Sequence, residues 1–188
     1  MLKEIKKRNG EVVAFDRSKI VRVMKKAFAA ETVSIDDEVL EQMADRVIAK
    51  LNEVATPESK TIGVEKVQDL VEEVLMERGY FKVAKAYILY RFEHTKERKE
   101  AVLEQIEENR LMIEKRDGRT EQFSREKVQK TLAFFIRGYE QDIDVDDVVR
   151  QVEMEIYDGI KTTELAKVIT LVLRSRIERD PAYSYVAA

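Results

Sequence analysis

The chain has 188 residues, 44% hydrophobic and 38% charged, and its 34 basic and 37 acidic side chains leave a net charge of −3. So even a balance argues against a general nucleic-acid binder, while leaving room for a local basic pocket. With no cysteine and one histidine, the chain alone cannot build a disulfide, zinc ribbon, iron–sulfur cluster, thiol chemistry or His-rich metal site.

Six glycines and two prolines among abundant Glu, Lys, Leu and Val predict mostly helix. The N-terminal run MLKEIKKRNG has no apolar signal core, and no apolar run is long enough to span a membrane. The expectation is a soluble, cytoplasmic protein.

Leu2 to Arg8 and Glu11 to Phe15 flank Asn9-Gly10. That dipeptide predicts a hairpin with a type I′ turn, and Val12, Val13 and Phe15 suit its second strand. Asp16 is placed to cap a helix whose apolar positions are Ile20, Val23, Met24, Ala27 and Phe28. Ser34 to Asp37 is a second cap cluster, before a stripe of Val39, Leu40, Met43, Ala44, Val47, Ile48 and Leu51. Thr56-Pro57 breaks the chain. Val64, Val67, Leu70, Val71, Val74 and Leu75 predict a third helix, stopped near Gly79. Phe81, Ala84, Tyr87, Ile88 and Phe92 predict a fourth. Residues 91–109 are nearly all charged and read as a solvated helical continuation or linker.

The cycle then restarts. Leu111, Ile113 and Lys115 lead to Asp117-Gly118, again a I′ dipeptide, and Phe123 is followed by Ser124 as N-cap. Val128, Leu132, Phe135 and Ile136 stripe one helix, and Val148, Val152 and Ile156 another, entered through the acidic run 142–147. Asp158-Gly159 is a loop. Leu165, Val168, Ile169, Val172 and Leu173 form the next helix, Asp180-Pro181 breaks it, and Tyr185 to Ala188 begin a last one. The unit is a hairpin followed by four helices. The second copy lacks most of its last helix, so the chain is expected to be the N-terminal piece of something longer.

One stretch is written twice, 108 positions apart: Lys7-Arg8-Asn9-Gly10 and Lys115-Arg116-Asp117-Gly118. Each is followed by a Phe (Phe15, Phe123) and then a Lys with a β-branched residue (Lys19-Ile20, Lys127-Val128). Two adjacent cations at a hairpin tip, with a third in the first turn of the next helix, suit a polyanion such as a triphosphate. Lysine supplies point charge and arginine a fork for phosphate oxygens. The competing explanation is that turns are exposed and therefore often basic, and that duplication preserves structural residues.

Other groups carry less. His94 sits in a charged helix. Glu65, Glu72, Glu73 and the run 142–147 are explained by helix caps and solvent faces rather than by a carboxylate metal site. The tyrosines Tyr80, Tyr87, Tyr90, Tyr157, Tyr183 and Tyr185 are expected in the core or at its rim. The chain has no phosphate-binding P-loop or glycine-rich dinucleotide motif.

The repeated turn resembles the opening of the ATP-cone domain, the nucleotide-sensing module found at the N-terminus of many ribonucleotide reductases. Val64 to Glu72, followed by Gly79 to Arg91, resembles the second half of such a cone. Tyr157 to Thr162 and Arg179 to Ala188 are similar to the cone of class I reductase large subunits. The resemblance implies an α+β, predominantly helical fold with two cones. Each is a short β-hairpin or sheet lid over a four-helix bundle, the second truncated before its last helix. The implied division is a first cone over 1–95, a charged helical linker over 96–109 and a second cone over 110–188.

The implied ligand is ATP or dATP, with Mg²⁺ as companion of the triphosphate. ATP keeps such a reductase active, and dATP switches it off by changing its oligomeric state. In the first cone the resemblance assigns Ile5, Lys7, Arg8 and Lys19, with Lys85 and Arg91 from the last helix. In the second it assigns Ile113, Lys115, Arg116, Glu121, Ser124, Lys127 and Thr162, with Glu121 toward the base and Thr162 on the bundle side. The Glu121 position is Val13 in the first cone, and the Thr162 position is Val64.

The leading functional expectation is an allosteric module of a ribonucleoside-diphosphate reductase, with no catalytic centre of its own. Its expected partners are the rest of the large subunit, the small radical-generating subunit and further copies of itself, with no membrane and no direct nucleic-acid contact. Two alternatives stay open. One is a nucleotide-dependent repressor of reductase genes, and the other is a degenerate cone scaffold that binds nothing.

Overall fold

The computed structural model describes residues 3–55 and 61–187. The predicted chain break at Thr56-Pro57 and the ends of the chain at Leu2 and Ala188 lie outside the described residues. The chain divides into two compact units, Met1–His94 and Thr95–Ala188.

The first unit opens with β1 (Glu4–Lys6) and β2 (Val12–Ala14), continues through α1 (Arg17–Ala30) and α2 (Asp37–Val54), then β3 (Ile62–Gly63), α3 (Val64–Glu77) and the start of α4 (Phe81–Glu107). The second repeats that order: β4 (Met112–Glu114), β5 (Thr120–Gln122), α5 (Arg125–Phe135), α6 (Val145–Glu155), β6 (Ile160–Lys161), α7 (Thr162–Arg174) and the short α8 (Ala182–Val186). The fold is α+β and mostly helical, as the sequence predicts.

The apolar stripes build two cores. Leu40, Met43, Ala44, Val47 and Leu51 of α2 are all fully buried, together with Met24, Phe28, Val74 and Leu75. Leu132, Val148, Val152, Ile160 and Leu173 centre the second. Helix α4 keeps only part of its predicted stripe: Ala84 and Tyr87 are buried, as is Val83, while Phe81, Ile88 and Phe92 are exposed. The charged run is helical through Glu107, and its Val102 and Ile106 pack on the second core.

Each sheet has three strands in the orders β2-β1-β3 and β5-β4-β6. The third strands, two residues each, are too short to leave a period-2 pattern and were not expected. They set the position of the helices behind them. Lys6 pairs with Gly63 in parallel, and Glu114 pairs with Lys161. The chain beyond β1 therefore comes level with the start of α3, and the chain beyond β4 with the start of α7.

The hairpin turns are not type I′. Among the described residues only Thr32 and Asn109 have positive φ outside glycine, so Asn9 and Asp117 do not. Gly10 N–H donates to Lys7 O at 3.0 Å, Lys7 N–H donates to Glu11 O at 2.8 Å, and Gly10 has φ of 78°. This is a type I turn closed by a left-handed glycine, the three-residue loop with a bulge. Lys115, Gly118 and Arg119 repeat it, with Gly118 at φ of 80°. The cation pair is thus split: the lysine closes the hairpin and the arginine rides the turn.

Candidate functional site

Capping fixes where the helix after each hairpin begins. Asp16 accepts from Ser18 N–H at 3.0 Å, and Ser124 accepts from Lys127 N–H at 3.3 Å. Lys19 and Lys127 therefore stand in the first helical turn, as expected. Phe15 and Phe123 pack inward just before the caps.

In the second unit the expected residues converge. Lys115 Nζ lies 2.6 Å and Lys127 Nζ 3.1 Å from the same oxygen of Glu121. Hydrogen bonds from Lys115 and then Lys127 hold the Glu121 carboxyl below its ordinary pKa. Arg116 has no hydrogen-bond or ion-pair partner among the described residues. Lys115, Arg116, Asp117, Arg119, Thr120 and Glu121 of the hairpin line a cleft of about 640 Å³ together with Thr162 of α7. Asp117 is occupied by Arg119 at 2.7 Å. A second cleft, of about 470 Å³, shares Glu121 with the first and is lined also by Ser124 and Lys127. Ile113 is buried in the central strand opposite Glu121 and Ile160, a floor residue rather than a polar ligand. Two lysines thus share one carboxylate, and Arg116 lines the same cleft as Lys115 and Glu121.

The first unit places the same residue types differently. Lys7 is paired with Glu11 at 2.8 Å. With Val13 at the position of Glu121, Lys19 has no acid to meet and makes no ion pair among the described residues. Lys85 is exposed on α4, also without an ion pair there. Ile5 is half-buried between Val13 and Ile62. The residues that do come together are Arg8 and Arg91, and carboxylates on α3 join them.

Arg8 donates through Nε to Glu65 and through Nη2 to Gln68 Oε1 at 2.8 Å. Arg91 donates to Glu72, to Asp69 at 3.1 Å and to the second oxygen of Glu65 at 3.1 Å. Burial opposes the charge of Arg91, but its bonds to Glu72, Asp69 and Glu65 outweigh that and raise its pKa. Burial likewise opposes ionisation of Glu65, and Arg8 and then Arg91 overcome it and lower the carboxyl's pKa. Tyr87, buried under this cluster, is pushed up chiefly by burial. The expectation that Glu65 and Glu72 are cap or solvent-face groups is therefore corrected: both hold arginines. Glu73 pairs instead with Lys50 at 2.5 Å. Among the described residues no acidic or His cluster is arranged to hold a metal.

Sequence reasoning also missed a helix–helix clasp. Arg125 Nε and Nη2 grip Glu153 of α6 at 2.9 and 2.6 Å. Arg17 grips Asp45 of α2 at 3.0 and 2.7 Å and also Glu41. A signal existed: in each copy an arginine is followed 28 positions later by an acid.

Residues 3–96 and 111–188 match the ATP cone domain family. The chain belongs to the ATP-cone family. It is 29% identical over 97% of its length to the ribonucleoside-diphosphate reductase subunit alpha of Chlamydia trachomatis, covering 18% of that protein. It is 38% identical over 57% of its length to the vitamin B12-dependent ribonucleoside-diphosphate reductase of Thermoplasma acidophilum, covering 13% of it. It is 32% identical over 54% of its length to the anaerobic ribonucleoside-triphosphate reductase of Haemophilus influenzae, covering 14%. The two matched stretches correspond to the two cones, and the chain spans less than a fifth of each of these relatives. No helix among the described residues is long and apolar enough to cross a membrane.

Proposed function

We propose that this chain is a nucleotide-sensing regulatory module of a ribonucleoside-diphosphate reductase, and that ATP or dATP binds in the cleft of the second cone. The observation that carries the reading is Arg116. It is a guanidinium on the turn, unpaired among the described residues, beside Lys115 and level with the start of α7, where backbone N–H groups and the helix dipole add positive potential. A volume of about 640 Å³ lies in the range usual for small-molecule pockets, roughly 300–1,000 Å³.

Lys115, Arg116 and Lys127 receive the phosphates, and Thr162 offers a hydroxyl at the mouth of α7. Arriving phosphate oxygens replace Glu121 as partner of the two lysines. The freed carboxylate then accepts from the ribose or the adenine amino group. Any Mg²⁺ enters with the triphosphate rather than in a protein-built site. ATP and dATP differ by one ribose hydroxyl, and that difference regulates only through unequal affinity for two states of the protein. Those states are assembly states of the reductase, with further copies, the rest of the large subunit and the small radical-generating subunit as partners.

The test is calorimetric titration of the chain with ATP and dATP, repeated on Lys115→Ala/Arg116→Ala and on Lys7→Ala/Arg8→Ala. A charged hydrogen bond is worth about 1.5–3 kcal/mol, so the first pair should weaken binding at least tenfold and the second should leave it unchanged. No heat with either nucleotide, from a chain that circular dichroism shows to be folded, sinks the reading.

A further inference from the structure

The two cones carry the same turn, but the helix beneath it differs. Helices α3 and α7 begin at equivalent points, Val64 and Thr162, each directly after the third strand. Counting from there, Glu65 corresponds to Thr163, Gln68 to Ala166, Asp69 to Lys167 and Glu72 to Thr170. Every α3 residue that engages Arg8 or Arg91 in the first cone is thus replaced in the second by one that offers no carboxylate. The second cone leaves its turn arginine unengaged. The first closes on itself.

The closure is specific. Glu65 spends one oxygen on Arg8 and the other on Arg91, so a single side chain ties the hairpin to the last helix. Arg91 and Glu72 are largely withdrawn from water, at 16% and 20% side-chain exposure, so salt screens their attraction less than it would at the surface. Two guanidinium groups face three carboxylates, Glu65, Asp69 and Glu72, and the patch is net negative. A guanidinium binds carboxylate and phosphate with the same planar fork. A tethered carboxylate is present at high effective concentration, so a free phosphate must displace it and also approach an already anionic surface.

We propose that Glu65 determines which cone takes nucleotide: with Asp69 and Glu72 it occupies Arg8 and Arg91 as an internal stand-in for phosphate and keeps the first cone closed to polyanions. This rests on the reading that the second cone binds ATP or dATP. It extends that reading by assigning the silence of the first cone to three acids of α3 rather than to a loss of cations.

The experiment starts from the full chain carrying Lys115→Ala/Arg116→Ala, in which binding at the second cone is weakened at least tenfold. Glu65→Gln/Asp69→Asn is added to it. That pair leaves two cations facing one acid and keeps the Arg91–Glu72 pair, so the fold is retained, as circular dichroism would verify. Titration with dATP and with ATP should then show binding at least tenfold tighter than the starting variant, lost again on adding Arg8→Ala. A folded variant with no gain overturns the proposal. So does a starting variant that still binds as tightly as the unmodified chain and loses that binding with Lys7→Ala/Arg8→Ala, because the first cone would then be open already. If the unmodified chain binds neither nucleotide, the second-cone reading fails. A gain on removing the two acids still supports the closure in that case, and no gain sinks both.

Discussion

The two hairpins have the same turn, the same flanking cations and the same phenylalanine behind them, yet one arginine is engaged and the other is not. The difference comes from a helix more than forty residues away. In the first cone α3 brings Glu65 and Gln68 to Arg8. In the second α7 brings Thr162 to the cleft and no carboxylate to Arg116. A basic motif is therefore a site only to the extent that its neighbours leave it uncompensated. Parallel pairing of β3 and β6 with the hairpin's first strand delivers those neighbours.

The helix clasps offer the sharpest way to test how far the two units diverge. Arg125 and Arg17 hold equivalent acids, but Glu153 has 3% side-chain exposure and Asp45 has 66%. Arg125 itself is 53% exposed, but removing it strands the charge of a buried carboxylate, a cost of up to about 3–5 kcal/mol, whereas a pair with an exposed acid is worth at most about 1 kcal/mol. Arg125→Ala should therefore lower stability by up to about 3–5 kcal/mol in urea unfolding followed by circular dichroism. Arg17→Ala should cost about 1 kcal/mol or less. Equal losses would mean that burial of Glu153 does not set the difference.

The turn glycines should behave alike where the clasps do not. Gly10 and Gly118 sit at φ of 78° and 80°, a region that costs an L-residue roughly 1–2 kcal/mol. A Cβ on Gly118 meets nothing within 4 Å, so backbone strain is the whole effect there. Gly118→Ala and Gly10→Ala should each destabilise by about that amount. A neutral result would mean that these positions are not held at positive φ, which both the observed turn and a type I′ turn require of the glycine.

How far the fold could be read from sequence depends on the same particulars. The α2 stripe, with Leu40, Met43, Ala44, Val47 and Leu51, repeats at helical spacing and is buried as expected. The hairpins and the caps at Asp16 and Ser124 were also legible, and Lys115, Arg116, Glu121 and Thr162, which the resemblance named, line one cleft. What escaped needed information outside any short window. Ile62–Gly63 and Ile160–Lys161 are too short to show a period. The turn type depends on the Lys7–Glu11 closure as well as on the dipeptide. Ala84 and Tyr87 are buried as expected, but Phe81, Ile88 and Phe92 look like core residues until the helix is seen to turn Val83 inward instead. The pairing of Glu65 with Arg8 and Arg91 joins positions 57 and 26 apart, which no local pattern encodes.

The smallest expected effect concerns acid, and again only one unit has the device. Arg176, just beyond α7, is buried and holds Asp147 of α6 at 2.7 Å, with Arg179 at 3.6 Å. The hydrogen bond from Arg176, and then the charges of Arg176, Arg179 and Arg150, lower the Asp147 carboxyl below its ordinary value. In the first unit the equivalent positions are Val39 and the exposed Arg78, and no such pair forms. A carboxyl whose folded pKa is depressed contributes stability above its unfolded value, about 3.9. That contribution is lost as pH falls below it. Protonation leaves three arginines around a neutral group, one of them buried. Over a third of the Asp147 side chain is open to solvent, so screening keeps the effect modest. The stability difference between the unmodified chain and Asp147→Asn should be constant from about pH 7 to about pH 5 and shrink as pH falls through about 4. The acids of the first unit are common to both proteins and cancel in the difference. Parallel profiles down to acid unfolding would remove Asp147 as the group that ties α6 to α7.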